Sequence, residues 1–510
     1  MLRIDEISDA DTLRQVAVLL ERENTRLHDR LQQLTTELAH LRGEDAAAAQ
    51  IHLEFLRELL AQRERALFGD SSEKRPRPAA PAEPAPAAPA PRRGHGPTTQ
   101  PTLPRLETMH TLPEGERACP QCGGTLTELT GQTEDAEEIT VVERRFVLVQ
   151  HRRQKYRCRC NGCVATAPGP PRLAANPDAR GARYAPEFAI EVAVGKYLDH
   201  LPLERQVRIM RREGLTIDSQ TLWDQLATLA DVLRPTYTAL GRYVLRAPVV
   251  GADETWWRLM EKPAAKRWWV WTLTREDAVI YRILETRSQQ AAREILAGYS
   301  GIVLADGYGA YAALARAGPG VTLAHCWAHV RRKFIEAEPH YPAPCRAGLA
   351  LIGQLYAVER EVPSLPAAAG ATTADEMLAL RGRLRRERSR AIVHEIQTWA
   401  LAQQALPESS LGKALHYLLG LWAGLTRFLD DPRIPLDNNR TERGLRGVVL
   451  GRKNHYGSRS RRGTEVAALF YSLIESAKLC GVDPKRYLLT ATRAALADRT
   501  VVTLPHTLPT

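Results

Sequence analysis

Three acidic residues stand where a sheet protein could bring them together around a metal ion. Asp253 follows the apolar run Val249–Ala252, and Asp306 follows the run Gly301–Ala305. Glu442 lies in a third segment, among arginines. Carboxylate oxygens are the ligands that Mg²⁺ prefers, and a two-metal centre acting on phosphodiesters needs such a set. For each aspartate alone, a cap or turn residue at a strand end is the commoner explanation.

The order of elements around Asp253 and Asp306 predicts a ribonuclease H-like sheet. The predicted strands are Val249–Ala252, Trp268–Leu273, Val279–Leu284, Gly301–Ala305 and Val321–Ala324. A helix from Ser288 to Gly298 separates the third strand from the fourth. In this order the first and fourth strands are neighbours, so we expect the two aspartates to face each other.

Positive charge is concentrated around Glu442. Between Asp437 and Arg462 the basic residues are Arg440, Arg443, Arg446, Arg452, Lys453, Arg459, Arg461 and Arg462. Glycines punctuate this segment, as expected where a phosphate backbone approaches a metal centre. A solvated loop is the alternative.

A second basic segment, Ala324–Phe334, contains histidine and cysteine as well. Its basic residues are Arg331, Arg332 and Lys333. The histidines and Cys326 could indicate a further metal site, but no second pair of ligands is visible in the sequence. Helical packing with phosphate contacts is therefore the favoured interpretation.

Five of the eight cysteines fall between Cys119 and Cys163. Cys119 with Cys122, and Cys160 with Cys163, have the Cys-x-x-Cys spacing and are separated by a strand-like segment. Each pair can present two thiolates to one tetrahedral Zn²⁺, which predicts a structural zinc ribbon. Cys158 is an alternative to Cys160, and free thiols in a small β domain are the alternative to zinc.

Upstream of the first carboxylate, the pattern predicts two helices joined by a short turn. The first, Leu203–Arg212, is amphipathic, and Gly214 suits the turn. Asp218 or Ser219 can cap the second helix, Gln220–Ala230. The basic residues of the first helix are Arg205, Arg208, Arg211 and Arg212. This order is typical of a DNA-binding helix-turn-helix, although helical hairpins of this kind also occur without DNA.

Leucines recur at every seventh residue near the N-terminus, at Leu13, Leu20, Leu27, Leu34 and Leu41. Taken as d positions, they put Asn24 at an a position, which favours a parallel two-stranded coiled coil. The alternative is a single amphipathic helix packed on its own chain. The Pro- and Ala-rich segment Lys74–Pro104 cannot bury a core and is predicted to be a linker.

The overall charge also indicates an anionic partner. The 510 residues include 70 Lys and Arg against 59 Asp and Glu, for a formal net charge of +11. No apolar run approaches the ~20 residues of a membrane span, and the acidic N-terminus is unlike a secretory signal. Because the positive charge gathers beside the predicted carboxylate site, we expect nucleic acid rather than a membrane as the partner.

Together these motifs resemble the transposases of the insertion sequence sixty-six family, which are bacterial DDE transposases. The likeness covers most of the chain. It includes Leu67-Phe68-Gly69, Cys119-Pro-Gln-Cys122-Gly-Gly, Asp253-Glu254-Thr255, Asp306-Gly307-Tyr308, Cys326-Trp327-Ala328-His329, Tyr471-Ser472-Leu473-Ile474 and Gly481-Val482-Asp483-Pro484. The most specific part is Asp437-Asn438-Asn439, Glu442-Arg443, Leu445-Arg446 and Gly451-Arg452-Lys453-Asn454.

The resemblance implies that Asp253, Asp306 and Glu442 form the DDE triad and hold two Mg²⁺ or Mn²⁺ ions. It implies an enzyme that binds the terminal inverted repeats of an insertion sequence, cleaves there and joins a 3′-hydroxyl to target DNA. With the heptad array it implies a homodimer, further partners among accessory proteins of the element, and a cytoplasmic, nucleoid-associated location. The alternatives are a nuclease or resolvase without strand transfer, and a DNA-binding regulator with a decayed catalytic domain.

The chain is therefore predicted to be a multidomain α/β protein. Its predicted parts are a coiled coil (1–70), a linker (71–104), a zinc-ribbon-like domain (105–175), a helix-turn-helix domain (180–245), a ribonuclease H-like catalytic domain (246–333 and 432–485), a helical insertion (334–431) and a C-terminal tail without an assigned role (486–510). The residues expected to contact DNA are Arg205, Arg208, Arg331, Arg332, Lys333, Arg440, Arg443, Arg446, Arg452 and Lys453.

Overall fold

The fold is that of a computed structural model of the chain. The structure describes residues 26, 46–68, 111, 116, 120–124, 146–157, 163–170, 173, 184–261, 266–316, 320–362 and 374–509. The chain divides into two compact units, residues 1–67 with 145–510, and residues 68–144. The heptad leucines and the predicted linker lie outside the described residues.

Helices make up most of the described residues, and a five-stranded sheet lies among them. The strands are β1 (Lys155–Arg157), β2 (Val164–Thr166), β3 (Val249–Leu259), β4 (Lys266–Thr274), β5 (Val279–Leu284), β6 (Gly301–Ala305) and β7 (Val321–His325). The helices are α1 (Ala46–Phe68), α2 (Pro186–Tyr197), α3 (Leu203–Arg212), α4 (Ser219–Val244), α5 (Gln289–Ile295), α6 (Gly309–Arg316), α7 (Trp327–Ala337), α8 (Pro342–Arg360), α9 (Ala374–Leu384), α10 (Arg390–Ala402), α11 (Ser410–Gly420), α12 (Trp422–Thr426), α13 (Asn439–His455), α14 (Arg461–Leu479) and α15 (Pro484–Ala497). A π-helical turn, Arg385–Ser389, joins α9 to α10.

The five-stranded sheet has the order β5-β4-β3-β6-β7. β3 is antiparallel to β4, and β4 to β5, whereas β3 pairs in parallel with β6, and β6 with β7. The expected pairing of the first and fourth strands of this sheet is confirmed, with Val249 opposite Ile302. β3 continues beyond its predicted end at Ala252, because Trp256 and Trp257 pair with residues of β4.

Helix α14 closes the edge of the sheet at β5. Tyr281 donates its backbone N–H to Ser472 Oγ at 2.9 Å, and Val279 donates to Ser476 Oγ at 3.0 Å. Serine is small enough to let the helix approach the strand, and its hydroxyl satisfies edge amides that would otherwise bind water. The helix is buried along most of its length as a result.

Helix α15 belongs to the same hydrophobic core as the sheet, through Tyr487 and Leu488. It begins at Pro484, after Asp483, whose side chain accepts the backbone N–H of Arg486. The predicted start of a tail at residue 486 therefore falls inside the first turn of a core helix. An Asp-Pro pair ahead of an apolar period is a helix-start signal, and the predicted boundary overlooked it.

A second hydrophobic core is built by the helices that follow β7. Trp327 and Phe334 of α7 are fully buried there with Ile352 of α8 and Ile396 of α10. In the predicted insertion, 334–431, the described residues form helices and loops but no strand.

Helix α1 buries one side and exposes the other. Leu53 and Glu58 are 5% and 2% exposed, and the backbone N–H of Ser410 donates to both carboxylate oxygens of Glu58, at 3.1 and 2.9 Å. A carboxylate is favoured at this position because it meets the amide end of helix α11. The exposed leucines of α1 are Leu56, Leu59 and Leu60.

Candidate active site

Asp253 and Asp306 lie on neighbouring parallel strands. The pairing of β3 with β6 runs as far as Gly251 opposite Leu304 and stops there. Asp306 follows the last residue of β6, as predicted. Asp253 lies in the interior of β3, which continues along β4 to Leu259, so its predicted position at a strand end is corrected. Asp253 lies just beyond the point where the pairing of β3 with the neighbouring strand, β6, stops.

Helix α13, which carries Glu442 in its first turn, is fastened to β3. Asn438, immediately before the helix, donates from Nδ2 to the carbonyl of Ala252 at 2.9 Å. The hydroxyl of Thr441 donates to Asn438 Oδ1 at 2.6 Å. These bonds hold the first turn of the helix against the strand residue that precedes Asp253.

The close approach of α13 depends on Gly251. A Cβ at Gly251 would collide with the side-chain oxygens of Thr441 and Asn438 and would lie 2.7 Å from Thr274 Oγ1. Thr274 of β4 in turn lies 2.6 Å from Thr441 Oγ1. A glycine within a strand commonly marks such close approach, and here it admits the helix turn that bears Glu442.

The charges of Asp306 and Glu442 act on Asp253. The pKa of Asp253 is raised to about 7, first by burial and then by the charges of Glu254, Asp306 and Glu442, while the backbone N–H of Glu254 lowers it. A carboxylate that is buried among other carboxylates is poised to bind a cation or a proton. Asp253, Asp306 and Glu442, called the carboxylate cluster from here on, are therefore linked through the effect of the other two charges on Asp253.

Glu254 has partners of its own. Arg287 donates from Nε to Glu254 Oε1 at 2.8 Å, and the Tyr311 hydroxyl donates to Oε2 at 2.9 Å. Burial raises the pKa of Glu254, and the Arg287 guanidinium opposes that shift. Because alternate residues of a strand face opposite sides, Glu254 is directed away from the side of Asp253 and has a structural role there.

The side chain of Glu442, on α13, contacts residues of α7. Arg332 Nη2 is 3.2 Å from Glu442 Oε2, and His329 Nε2 is 3.6 Å from Oε1. Burial lowers the pKa of His329, whereas the charges of Glu442 and Asp306 raise it. The sequence gives no sign of this proximity, because no spacing rule connects α7 to α13.

The helical insertion reaches the end of β6. The hydroxyl of Tyr417, on α11, donates to the backbone carbonyl of Asp306. The Asp306 side chain accepts the backbone N–H of Tyr308 at 3.0 Å. Gly307, between them, has a φ of +86°, and a Cβ there would meet Leu421. The second core thereby fixes the backbone that carries the second aspartate.

Most of the predicted DNA-contacting residues lie on exposed faces of the helices that hold Glu442. The exposed residues are Arg331, Arg332 and Lys333 on α7, and Arg440, Arg443, Arg446 and Lys453 on α13. Arg332 pairs with Glu442, and Lys333 with Glu336, so these two cations are engaged within the protein.

Arg452 differs from the other predicted DNA contacts because it is only 8% exposed. Its guanidinium donates to Thr255 Oγ1 at 3.1 Å and to the backbone carbonyl of Trp256, and it stacks on the Trp256 ring at 3.7 Å. These contacts tie the end of α13 to β3. They account for Arg452 structurally, so we leave it out of the proposed DNA surface.

The predicted helix-turn-helix corresponds to α3, a turn and α4. Gly214 has a φ of +87°, and Asp218 caps α4 by accepting the backbone N–H of Thr221 at 2.6 Å. Arg205 and Arg208 are exposed on α3. α4 runs past its predicted end at Ala230 to Val244, because its buried leucines continue at helical spacing into the first core.

The cysteine pairs are only partly described. Cys122 and Cys163 are exposed. Cys119, Cys158 and Cys160 lie outside the described residues, so the zinc ligand set stays a prediction.

Similarity to known proteins decides the family. The family described as "Transposase IS66 family" matches residues 181–466, which is more than half of the chain and includes all three carboxylates. The chain belongs to the IS66 family of transposases. It is thus a transposase-type enzyme whose partner is DNA.

A second IS66 family description, "zinc-finger binding domain of transposase IS66", matches residues 116–161. The matched segment contains Cys119, Cys122, Cys158 and Cys160 and ends before Cys163. The match supports Zn²⁺ as a metal that this IS66 chain binds.

Two proteins of Sinorhizobium fredii (strain NBRC 101917 / NGR234) have related sequences. The uncharacterized protein y4jD is 32% identical over 428 residues, covering 80% of this chain and 80% of that protein. The uncharacterized protein y4hP is 29% identical over 443 residues, covering 81% and 76%. The likeness therefore extends over most of both chains.

A membrane-spanning helix would have to be both long and apolar. None of the helices in the described part of the chain combines the two properties.

Proposed function

We propose that this IS66-family chain is a DDE transposase that cleaves and joins DNA at the ends of an insertion sequence. Asp253, Asp306 and Glu442 are its catalytic residues. The observation that carries the proposal is the placement of Asp253 on β3, of Asp306 at the end of the paired strand β6 and of Glu442 on the helix fastened to Ala252. It is supported by the pKa of Asp253, which burial and the charges of Glu254, Asp306 and Glu442 raise to about 7. The order and directions of the five strands support a ribonuclease H-like sheet as the scaffold.

The carboxylate cluster fits divalent cations. Within the described part of the chain, Glu442 Oε1 is buried and receives no hydrogen bond, and the acidic neighbours of Asp253 disfavour its ionised form. Oxygen-only donors of this kind suit Mg²⁺ or Mn²⁺. Two such ions, held by Asp253, Asp306 and Glu442, would supply activation of a water or a 3′-hydroxyl and stabilise charge on the phosphate.

The protein's own contribution is to hold and orient the reacting groups. Asp253 and Asp306 are on paired strands of a packed sheet, and Glu442 is on a helix fastened to the same strand through Asn438. Rigid placement of this kind keeps the carboxylates close without the cost of ordering them during the reaction. The residues proposed to hold phosphates are Arg331, Arg332, Lys333, Arg440, Arg443, Arg446 and Lys453.

The remaining modules are proposed to recognise and pair the ends of the element. Arg205 and Arg208 on α3 would contact terminal repeat DNA beside α4. A structural Zn²⁺ would be held by Cys119, Cys122, Cys160 and Cys163, with Cys158 as the alternative to Cys160. The heptad leucines would pair two protomers so that both ends are held together, with accessory proteins of the element as further partners.

A strand-transfer assay tests the proposal. The full-length chain is incubated with Mg²⁺, a target plasmid and DNA carrying both ends of its element. We expect joined products, and a loss of at least about 100-fold in Asp253→Asn, Asp306→Asn and Glu442→Gln, corresponding to about 3 kcal/mol or more of transition-state stabilisation. Asp430→Asn is the matched control, because that carboxylate is exposed in an ion pair with Arg390.

Each other outcome has a definite meaning. Products that are cleaved but never joined would identify a nuclease or resolvase. Binding of the DNA ends without cleavage by the wild-type chain would identify a regulator. Full activity in any one carboxylate variant would remove that residue from the triad.

A further inference from the structure

Cys326, His329 and Glu442 form a cluster that the proposed DDE chemistry does not use as a unit. Their ligand atoms, one from each residue, all lie within 4.8 Å of one another. Among the described residues this is the group of three whose donors are placed to hold one metal ion. The sequence favours packing for the segment Ala324–Phe334, because no second pair of ligands is visible there. The structure supplies a third donor, Glu442, from another helix.

The three side chains are placed as ligands on two facing helix starts. Cys326 is the N-cap residue of α7, His329 lies in its first turn, and Glu442 lies in the first turn of α13. His329 Nε2 is already 3.6 Å from Glu442 Oε1. Ligand atoms around a tetrahedral Zn²⁺ lie about 3.4–3.7 Å apart, so the His329–Glu442 distance already suits one, and the other donors would move closer by about 1.4 Å at most.

The sulfur of Cys326 already accepts a hydrogen bond from the backbone. The N–H of Asn438 donates to Cys326 Sγ at 3.1 Å, and such a donor also stabilises a thiolate. Metal binding would release the thiol proton to solvent as the metal–sulfur bond forms.

Two further observations point to a ligand. Within the described part of the chain, Glu442 Oε1 is buried without a hydrogen-bond partner. The side chains of His329 and Glu442 are 18% and 26% exposed, which leaves an entry path on their side of the cluster. A sulfur, a nitrogen and an oxygen donor together suit Zn²⁺ better than Mg²⁺.

We infer that Cys326, His329 and Glu442 form a second metal site, which binds Zn²⁺ or a similar thiophilic cation and withdraws Glu442 from Asp253 and Asp306. The inhibitory part of this inference rests on the proposed function, because it requires Glu442 to be a catalytic residue. The binding part does not, since it depends on the three donors alone.

Zinc content of the full-length chain tests the binding part. After dialysis against low-micromolar Zn²⁺, the wild-type chain should hold one more ion than Cys326→Ser or His329→Ala, measured by mass spectrometry of the metal. Cys345→Ser and His394→Ala are matched controls, because Cys345 is a buried free cysteine outside the cluster and His394 is exposed. Equal zinc counts in all five proteins would overturn the inference.

Strand transfer at fixed Mg²⁺ tests the inhibitory part. The Zn²⁺ concentration that halves activity, measured for each protein against its own zinc-free rate, should rise at least tenfold in Cys326→Ser and His329→Ala and stay unchanged in the controls. Inhibition that is equal in all of them would contradict the withdrawal of Glu442. A changed zinc count in a chain that joins no DNA would support the site and count against the proposed function alone.

Discussion

The carboxylate end of the sheet and the helical insertion both bury charge, and they treat it in opposite ways. In the insertion, the fully buried Arg385 donates to Glu359 at 2.7 Å and to the carbonyl of Phe428 at 2.8 Å. At the sheet, the half-buried Asp253 lies among other acids, which help raise its pKa to about 7. The buried charge of Arg385 is matched within the folded chain, whereas in the carboxylate cluster the pair of Arg332 with Glu442 leaves Asp253 among acidic neighbours, so that added cations would improve the match. Charge mismatch, more than burial, thus marks the functional region.

The largest expected effect separates activity from stability at Asp253. The pKa of Asp253 is higher in the folded than in the unfolded chain, so the protonated side chain stabilises the fold. This contribution is fully present below about pH 4 and is lost as the pH rises through about 7. Asp253→Asn removes the unfavourable charge, so we expect strand transfer to fall by about 1,000-fold while the melting temperature at pH 8 holds or rises. A melting temperature lowered by several degrees would contradict the comparison.

The next largest effect is expected when the buried arginine of the insertion is replaced. Arg385→Met leaves the mostly buried carboxylate of Glu359 without its main cation, which should cost about 3–5 kcal/mol of unfolding free energy in urea titrations. Arg388→Met is the matched control, since its pair with Glu361 is half exposed on both sides and is worth less than about 1 kcal/mol. Equal losses in the two variants would show that burial of the pair is not what matters.

A smaller effect tests how α13 is held on β3. Gly251→Ala introduces a Cβ against Thr441 and Asn438, and such overpacking should cost about 1–3 kcal/mol of unfolding free energy. Strand transfer should fall at least about tenfold as well, because Glu442 moves with the helix. In contrast, Gly353→Ala lies within α8 with open space around it and should stabilise the chain by up to about 1 kcal/mol.

The sequence could predict the sheet because its information is local. Apolar runs bounded by turn residues located four of the five strands closely, and the order of elements gave the pairing of β3 with β6. The prediction for β3 is too short, because its second half is stabilised by tryptophans that pair with tryptophans of β4. Pairing across strands is a tertiary effect that a single run of residues does not reveal.

The sequence predicts which carboxylates belong to the cluster, but not which residues hold them in place. Asp253 and Asp306 follow from strand patterns, and Glu442 follows from its basic segment and the family likeness. The hydrogen bond from Asn438 to Ala252 and the contact of His329 with Glu442 join residues far apart in the chain. The spacing of residues along the sequence therefore does not predict these contacts. Side-chain contacts of this kind appear only once helices have packed.

The smallest expected effect lies at the other end of the helix that carries Glu442. The pKa of His455 is lowered to about 3, chiefly by burial and then by the charge of Lys196. A lowered folded-state pKa contributes stability above the unfolded value near 6.5 that is lost as the pH falls toward 3. Between about pH 7.5 and about pH 5.5 the wild-type chain should therefore lose about 1.4 kcal/mol more unfolding free energy than His455→Gln, measured in urea. Parallel pH profiles in the two proteins would show that His455 titrates normally, and a loss of strand transfer beyond the loss of folded protein would link this end of α13 to the carboxylates.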